Sequence, residues 1–211
     1  MNSDLHHTTR RSLHAVAEML LAGPQHAETD HIRLRAVPGG FATALTPEVS
    51  VIASGNGRCD IVHGHVRVAL DGRTLRDLGD ELGVPVVSLA AVYSDVSDVS
   101  PDEPLAVDVP SAERIAEVYS LGDAALRVFA PDEEPVLWPE HFDIAIAVDG
   151  VNYGVTPGDA GIETPYMYVG PWPVPTGDDF WNTSFGAAQP VPSSVDEIAA
   201  FFAEGRRRIS G

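Results

Sequence analysis

The chain contains no lysine: all 13 of its basic residues are arginine. This excludes a Schiff-base lysine for pyridoxal phosphate, a phosphate-loop lysine and a kinase-type lysine. Cysteine occurs once, at Cys59. An intramolecular disulfide and a cysteine-rich zinc site are therefore ruled out, and the scarcity suits a reducing compartment. Cys59 reads either as a reactive thiol or, more plainly, as a small loop residue in Gly57-Arg58-Cys59-Asp60. Positive charge is scarce too, with 31 acidic residues against 13 basic ones and a net charge of −18. Nucleic acid and anionic membranes require clustered positive charge, so neither is an expected partner. The single basic run, Arg206-Arg207-Arg208, reads as the dipole-complementing end of a last helix. No apolar run approaches the ~18 residues of a membrane-spanning helix. The amino-terminal residues lack the flank and apolar stretch of a secretion signal, so a cytoplasmic location is the default expectation.

Material for a core is ample: 44% of the 211 residues are hydrophobic. A chain of this length buries roughly 70% of its unfolded surface, so it needs no metal to fold. No cofactor is expected. The length fits a single domain over 1–211, as a monomer or a homodimer.

Hydrophobic spacing predicts a first helix over Thr9 to Ala22, stopped by Gly23-Pro24. Alternation predicts strands at His31 to Ala36, Phe41 to Leu45, Val49 to Ala53 and Ile61 to Leu70, the last irregular near Gly64. A turn is expected at Ser54-Gly55-Asn56-Gly57. Thr74 is placed as the cap of a short helix to Leu82. Ser94 to Pro110 reads as a long acidic surface connection. Ser111 is expected to cap a helix to about Phe129. Strands follow at Ile144 to Val148, Val151 to Val155 and Pro165 to Trp172. A final helix begins after Ser193 or Ser194.

Runs of strands on short turns with helices outside them indicate an α+β fold with an antiparallel sheet. A shift of 110 residues brings Asp30-His31-Ile32 onto Glu140-His141-Phe142 and Thr46-Pro47 onto Thr156-Pro157. Its physical reading is two similar helix–strand–strand–strand–helix halves, 9–93 and 111–208, joined by an acidic loop over 94–110.

Phosphate-loop, dinucleotide, nucleophile-elbow and zinc-protease motifs are absent. Four weaker signals remain. On a strand, His141 and Asp143 share a face with Ala145 and Ala147, about 7 Å apart. Tyr166, Tyr168 and Trp172 alternate in the same way and would wall the space that the alanines leave. Such a group suits orienting a polar ligand, or acid–base chemistry with Glu140 or Asp143 as the partner of His141. The plainer reading has Glu140 and His141 ending a loop. Asn152 and Tyr153 are placed near the rim, and Asp159 is a further polar group near the pocket, in an ordinary Pro157-Gly158-Asp159 corner. His63 and His65, at i and i+2, would chelate a metal if Asp60, His141 or Asp143 supplied a third ligand. No third ligand is local, so no metal is expected. The aromatic run Phe180 to Phe185 either closes a core or forms a partner surface.

The segments Trp138-Pro139-Glu140-His141-Phe142-Asp143, Asn152-Tyr153-Gly154, Pro157-Gly158-Asp159 and Pro165-Tyr166-Met167-Tyr168-Val169-Gly170-Pro171-Trp172 resemble a bacterial, mainly actinobacterial, family of hypothetical proteins. The resemblance spans most of the chain and implies no activity, cofactor or catalytic residue.

The reading preferred on these residues is a small-molecule binding module with an aromatic-lined pocket. Its ligand would be neutral or cationic, given the acidic surface. A small hydrolase or isomerase using a His/carboxylate pair is the alternative. A structural or partner-binding protein is a third.

Overall fold

The computed structural model describes residues 2–45, 48–55 and 57–210. Thr46, Pro47 and Asn56, which enter the internal match and the expected turn, lie outside the described residues. The fold is α+β, with helices packed on an antiparallel sheet of ten strands. No helix among the described residues is long and apolar enough to cross a membrane.

Helix α1 (Ser3–Val16) is capped by the Asn2 side chain, which accepts from the Asp4 N–H. It continues as a π-helical turn over Ala17–Ala22 and then as α2 (Gly23–Thr29). The expected stop at Gly23-Pro24 is therefore overturned. The Gly23 N–H donates five residues back, to the Glu18 carbonyl. This wider turn leaves Pro24 in the first turn of α2, where its missing N–H costs little. Glycine is needed at 23 because a Cβ there would lie 2.1 Å from the Val87 carbonyl oxygen.

Strands β1 (Leu34–Val37), β2 (Gly40–Thr43), β3 (Val49–Ser54), β4 (Arg58–His63) and β5 (Val66–Ala69) follow one another as an antiparallel meander. The single strand expected over 61–70 is two strands. His63 pairs with Val66, and Gly64 turns the chain with a φ of 58°. Cys59 sits on β4 rather than in a loop. It is buried, and burial pushes its thiol up to about 12, which removes it as a nucleophile. Helix α3 (Leu75–Leu82) has Thr74 as its cap, as expected, and ends at a left-handed Gly83.

The connection expected to lie on the surface is instead tied along α1. The segment 84–108 has no regular secondary structure, so its N–H groups need acceptors from elsewhere. Thr9 Oγ1 accepts from Asp108 N, Ser12 Oγ from Ala106 N, and the Glu18 carboxylate from Ser97 N and Leu89 N. The Met19 carbonyl accepts from Val87 N. Val99, Leu105 and Val107 are buried beneath this strap. The cap of α4 (Val109–Phe129) is Asp108, which accepts from both the N–H and the hydroxyl of Ser111. Ser111 thus sits inside the first turn, not at its cap.

The remaining strands are β6 (Val136–Trp138), β7 (Asp143–Val148), β8 (Val151–Thr156), β9 (Tyr166–Pro171) and β10 (Ala187–Pro190), followed by α5 (Val195–Ser210). The strand order is β10-β9-β8-β7-β6-β1-β2-β3-β4-β5. Each run of five strands is preceded and followed by helix. The shift of 110 residues lays β1 on β7, the second strand of the later run. The third strands open at Val49 and Val151, 102 residues apart. Two compact units result, residues 1–117 with 137–142, and residues 118–136 with 143–211. The division falls within α4 rather than in the loop over 94–110.

In the second unit, Ile144, Val155 and Val169 form one face of the strands. Gly122 of α4 and Gly205 of α5 lie against it, where a Cβ would meet those side chains at 2.7 to 3.0 Å. Phe129, Tyr153 and Phe202 close this core, with ring centroids 4.6 to 5.9 Å apart.

Candidate functional site

The opposite face of β7, β8 and β9 carries Asp143, Ala145 and Ala147, then Asn152, Gly154 and Thr156, then Tyr166, Tyr168 and Gly170. Their registers place Ala145 beside Gly154 and Gly154 beside Tyr168. A Cβ on Gly154 would lie 2.5 to 2.6 Å from the Tyr168 ring. The ring therefore lies across the glycine, and its hydroxyl donates to Asp143 Oδ2. Burial, then the Asp143 carboxylate, holds the Tyr168 hydroxyl well above its ordinary value, so it remains a proton donor. Next to it, Tyr166 donates to Asp159 Oδ2. Asp159 Oδ1 also accepts from the N–H groups of Gly161 and Ile162 and orders that corner. Phe185 packs on both tyrosines at 6.2 and 6.4 Å.

The space expected above the small residues is thus filled at this end by Tyr168 itself. At the other end of the same face, Ala147 and Asn152 are exposed and Gly170 is half-buried. One residue beyond β9, Trp172 is 89% exposed. Substituting Gly154 by Ala forces the Tyr168 ring off the strand and is expected to cost about 1–3 kcal/mol, the usual range for overpacking. Urea denaturation of the two proteins measures it.

Asp143, Tyr166 and Tyr168 are brought together as the alternation predicts, with Asn152 on the same face. Tyr153 is not at the rim. It is 1% exposed and points into the core with Phe129 and Phe202, because it shares the parity of Val151 and Val155. Nor does His141 extend the strand alternation to Asp143. Strand β7 begins at Asp143, and Phe142 is left-handed with a φ of 50°, which breaks the period-two pattern. His141 is exposed, with Nε2 3.3 Å from Glu140 Oε1.

The first unit holds a polar group that the sequence reading passed over. His6, Arg10, His14 and Glu18 recur at i+4 along α1 and its π-helical extension. His6 and Glu18 are buried, Arg10 and His14 partly so. Desolvation raises the carboxyl of Glu18. Desolvation also lowers His14, whose Nε2 donates to the Pro139 carbonyl at 2.6 Å. The Tyr93 hydroxyl is buried, finds no hydrogen-bond partner among the described residues, and is raised by desolvation and by the charges of Glu18 and Glu140. The legible signal was the i+4 recurrence of titratable residues, which places all four along one line of the helix.

His63 and His65 do not share a strand face. The Nδ1 of His63 lies 3.0 Å from the Leu82 carbonyl, while His65 is exposed in the turn. Asp60 is engaged by Arg58 and Arg67, each at 3.0 Å. Among the described residues no group of three His, Cys, Asp or Glu side chains is arranged to hold a metal. A small apolar void of about 10 Å³, bordered by Leu13, Phe41, Cys59 and Ile115, is no larger than a water molecule. No protein-family model, curated protein or solved structure matches the chain.

Proposed function

We propose that the protein is a small-molecule binding module. Its contact surface would be the open end of the second unit's sheet face. The observation that carries this reading is Trp172, at 89% the most exposed large hydrophobic side chain among the described residues. An indole left in water at the end of a strand offers a stacking platform. Beside that strand end lie Ala147 and Gly170, which keep the surface flat, and Asn152, which supplies an amide donor and acceptor. The Tyr168–Asp143 and Tyr166–Asp159 pairs fix the neighbouring part of the face. A net charge of −18 favours neutral or cationic ring compounds over anions, and a cation over the indole gains further attraction. The same charge disfavours nucleic acid, and a cytoplasmic monomer or homodimer accords with this reading.

A ligand-observed NMR screen of neutral and cationic ring compounds tests it, run on the wild type, Trp172→Ala and Asn152→Ala. Trp172→Ala should leave stability within about 0.5 kcal/mol, as exposed substitutions do, and should abolish the hits. Hits that survive both substitutions would refute the proposal.

The 3.3 Å approach of His141 to Glu140 favours a second reading, acid–base catalysis by a small hydrolase or isomerase. In that case His141→Asn would abolish turnover, while Trp172→Ala would not.

A further inference from the structure

The turn over residues 139–142 carries Glu140 and His141 and ends in a strained residue. Phe142 has a φ of 50°, and a bulky side chain stays in the strained left-handed region only where its surroundings enforce it. Two rings enforce it here. The His14 imidazole stacks on the Phe142 ring at 5.3 Å and 18°, and Phe41 meets it edge-on at 5.5 Å. The same imidazole donates from Nε2 to the Pro139 carbonyl at 2.6 Å. One side chain of α1 therefore grips both ends of the turn.

We propose that His14 is an acid-operated latch: the neutral imidazole holds the 139–142 turn closed, and its protonation releases the turn together with Glu140 and His141.

The charges around the ring set the direction. The Pro139 carbonyl and Asp98, on the strap, favour the protonated form. Against them stand the desolvation of the ring, which is the largest influence, Arg10 one turn earlier on α1, and His141 on the turn itself. Burial outweighs the hydrogen bond, so an imidazolium is disfavoured in the closed turn and favoured once the turn opens to water. Opening also frees Phe142 to leave the left-handed region, so strain stored in the closed state assists release. The latch rests on no assumption about the ligand at Trp172. It would regulate the placement of the Glu140–His141 pair, which is already open to water in the closed turn.

The test is amide hydrogen exchange of residues 140–142, followed from about pH 8 down to about pH 4 and corrected for intrinsic rates, beside the NMR titration of the His14 ring. Protection should fall about tenfold for each pKa unit between the closed and open forms of His14, with the midpoint of the ring titration. His14→Gln keeps a side-chain donor for Pro139 and cannot titrate, so its protection should be independent of pH. His141→Asn should keep the switch. A protection change that persists in His14→Gln would overturn the proposal, as would one that vanishes in His141→Asn. If His14→Gln fails to fold, the wild type still decides: constant protection through the His14 titration refutes the latch.

Discussion

Replacing Phe202 by alanine should lower the stability of the protein by about 3–5 kcal/mol, the range for removing a fully buried phenyl ring. Phe202 is 0% exposed and stands at the centre of the second unit's aromatic core. Its ring meets Phe129 at 5.7 Å, Tyr153 at 5.9 Å and Phe201 at 6.1 Å. The site cannot collapse easily, because Gly122 and Gly205 already bring the two helices against the strands as closely as backbone allows. The cavity would therefore remain open, and the cost should sit toward the upper end. Tyr153→Phe makes an informative contrast. It keeps the ring and removes only a hydroxyl, so it should cost about 1 kcal/mol or less. Denaturant titration followed by near-ultraviolet circular dichroism reads both. A loss below about 1 kcal/mol for Phe202→Ala would mean that the three rings do not form one packed cluster.

Alternation within strands was legible from the sequence wherever the strand was regular. It placed Asp143 and Tyr168 on one face because nothing interrupts β7 or β9. The same rule places Tyr153 with Val151 and Val155 in the core. The hydroxyl made that residue look like a rim group, yet its ring is what the core uses. His141 escaped the rule through one residue: the left-handed Phe142 resets the parity, and no local glycine or asparagine announces it. Gly23-Pro24 misled for a related reason. A glycine before a proline ordinarily ends a helix, but here the π-helical turn accommodates the proline and the strap needs the missing Cβ. The acceptors that tie down the strap were the least legible feature. They lie at Thr9, Ser12 and Glu18, some 70 to 100 residues upstream of the N–H groups they serve and in no periodic relation to them. Read alone, 94–110 is polar and rich in proline, and composition points such a segment to the surface. What composition cannot show is that Val99, Leu105 and Val107 are turned inward.

That strap should come loose when Glu18 is replaced by alanine. The carboxylate is 1% exposed and accepts from Ser97 N at 2.6 Å and Leu89 N at 3.5 Å. Removing it strands both amides and leaves a cavity in the π-helical turn. A buried hydrogen bond to a charged acceptor is worth about 1.5–3 kcal/mol, and with the cavity added the expected loss is about 3 kcal/mol. The loss should appear first as local opening, since the strap has no ladder of its own. Protease cleavage within residues 88–97 should accordingly rise at least tenfold, while the rest of the chain stays resistant. Glu18→Gln keeps one acceptor oxygen and should lose about 1 kcal/mol. The two variants also separate in their pH dependence. The folded-state carboxyl of Glu18 is raised above its unfolded value, so the folded protein binds the proton more tightly. Its contribution to stability is then greatest in acid and declines as the pH rises from the ordinary glutamate range through the raised value. His14 acts with the opposite sign. It is lowered in the folded state, so its contribution is complete above the ordinary histidine value and declines as the pH falls below it. Glu18→Gln should therefore deepen the acid loss of stability relative to wild type, and His14→Gln should relieve it. Stability measured by urea titration at several pH values distinguishes the two slopes. An unchanged pH profile in Glu18→Gln, with cleavage of the strap unaltered in Glu18→Ala, would show that the carboxylate does not hold the strap.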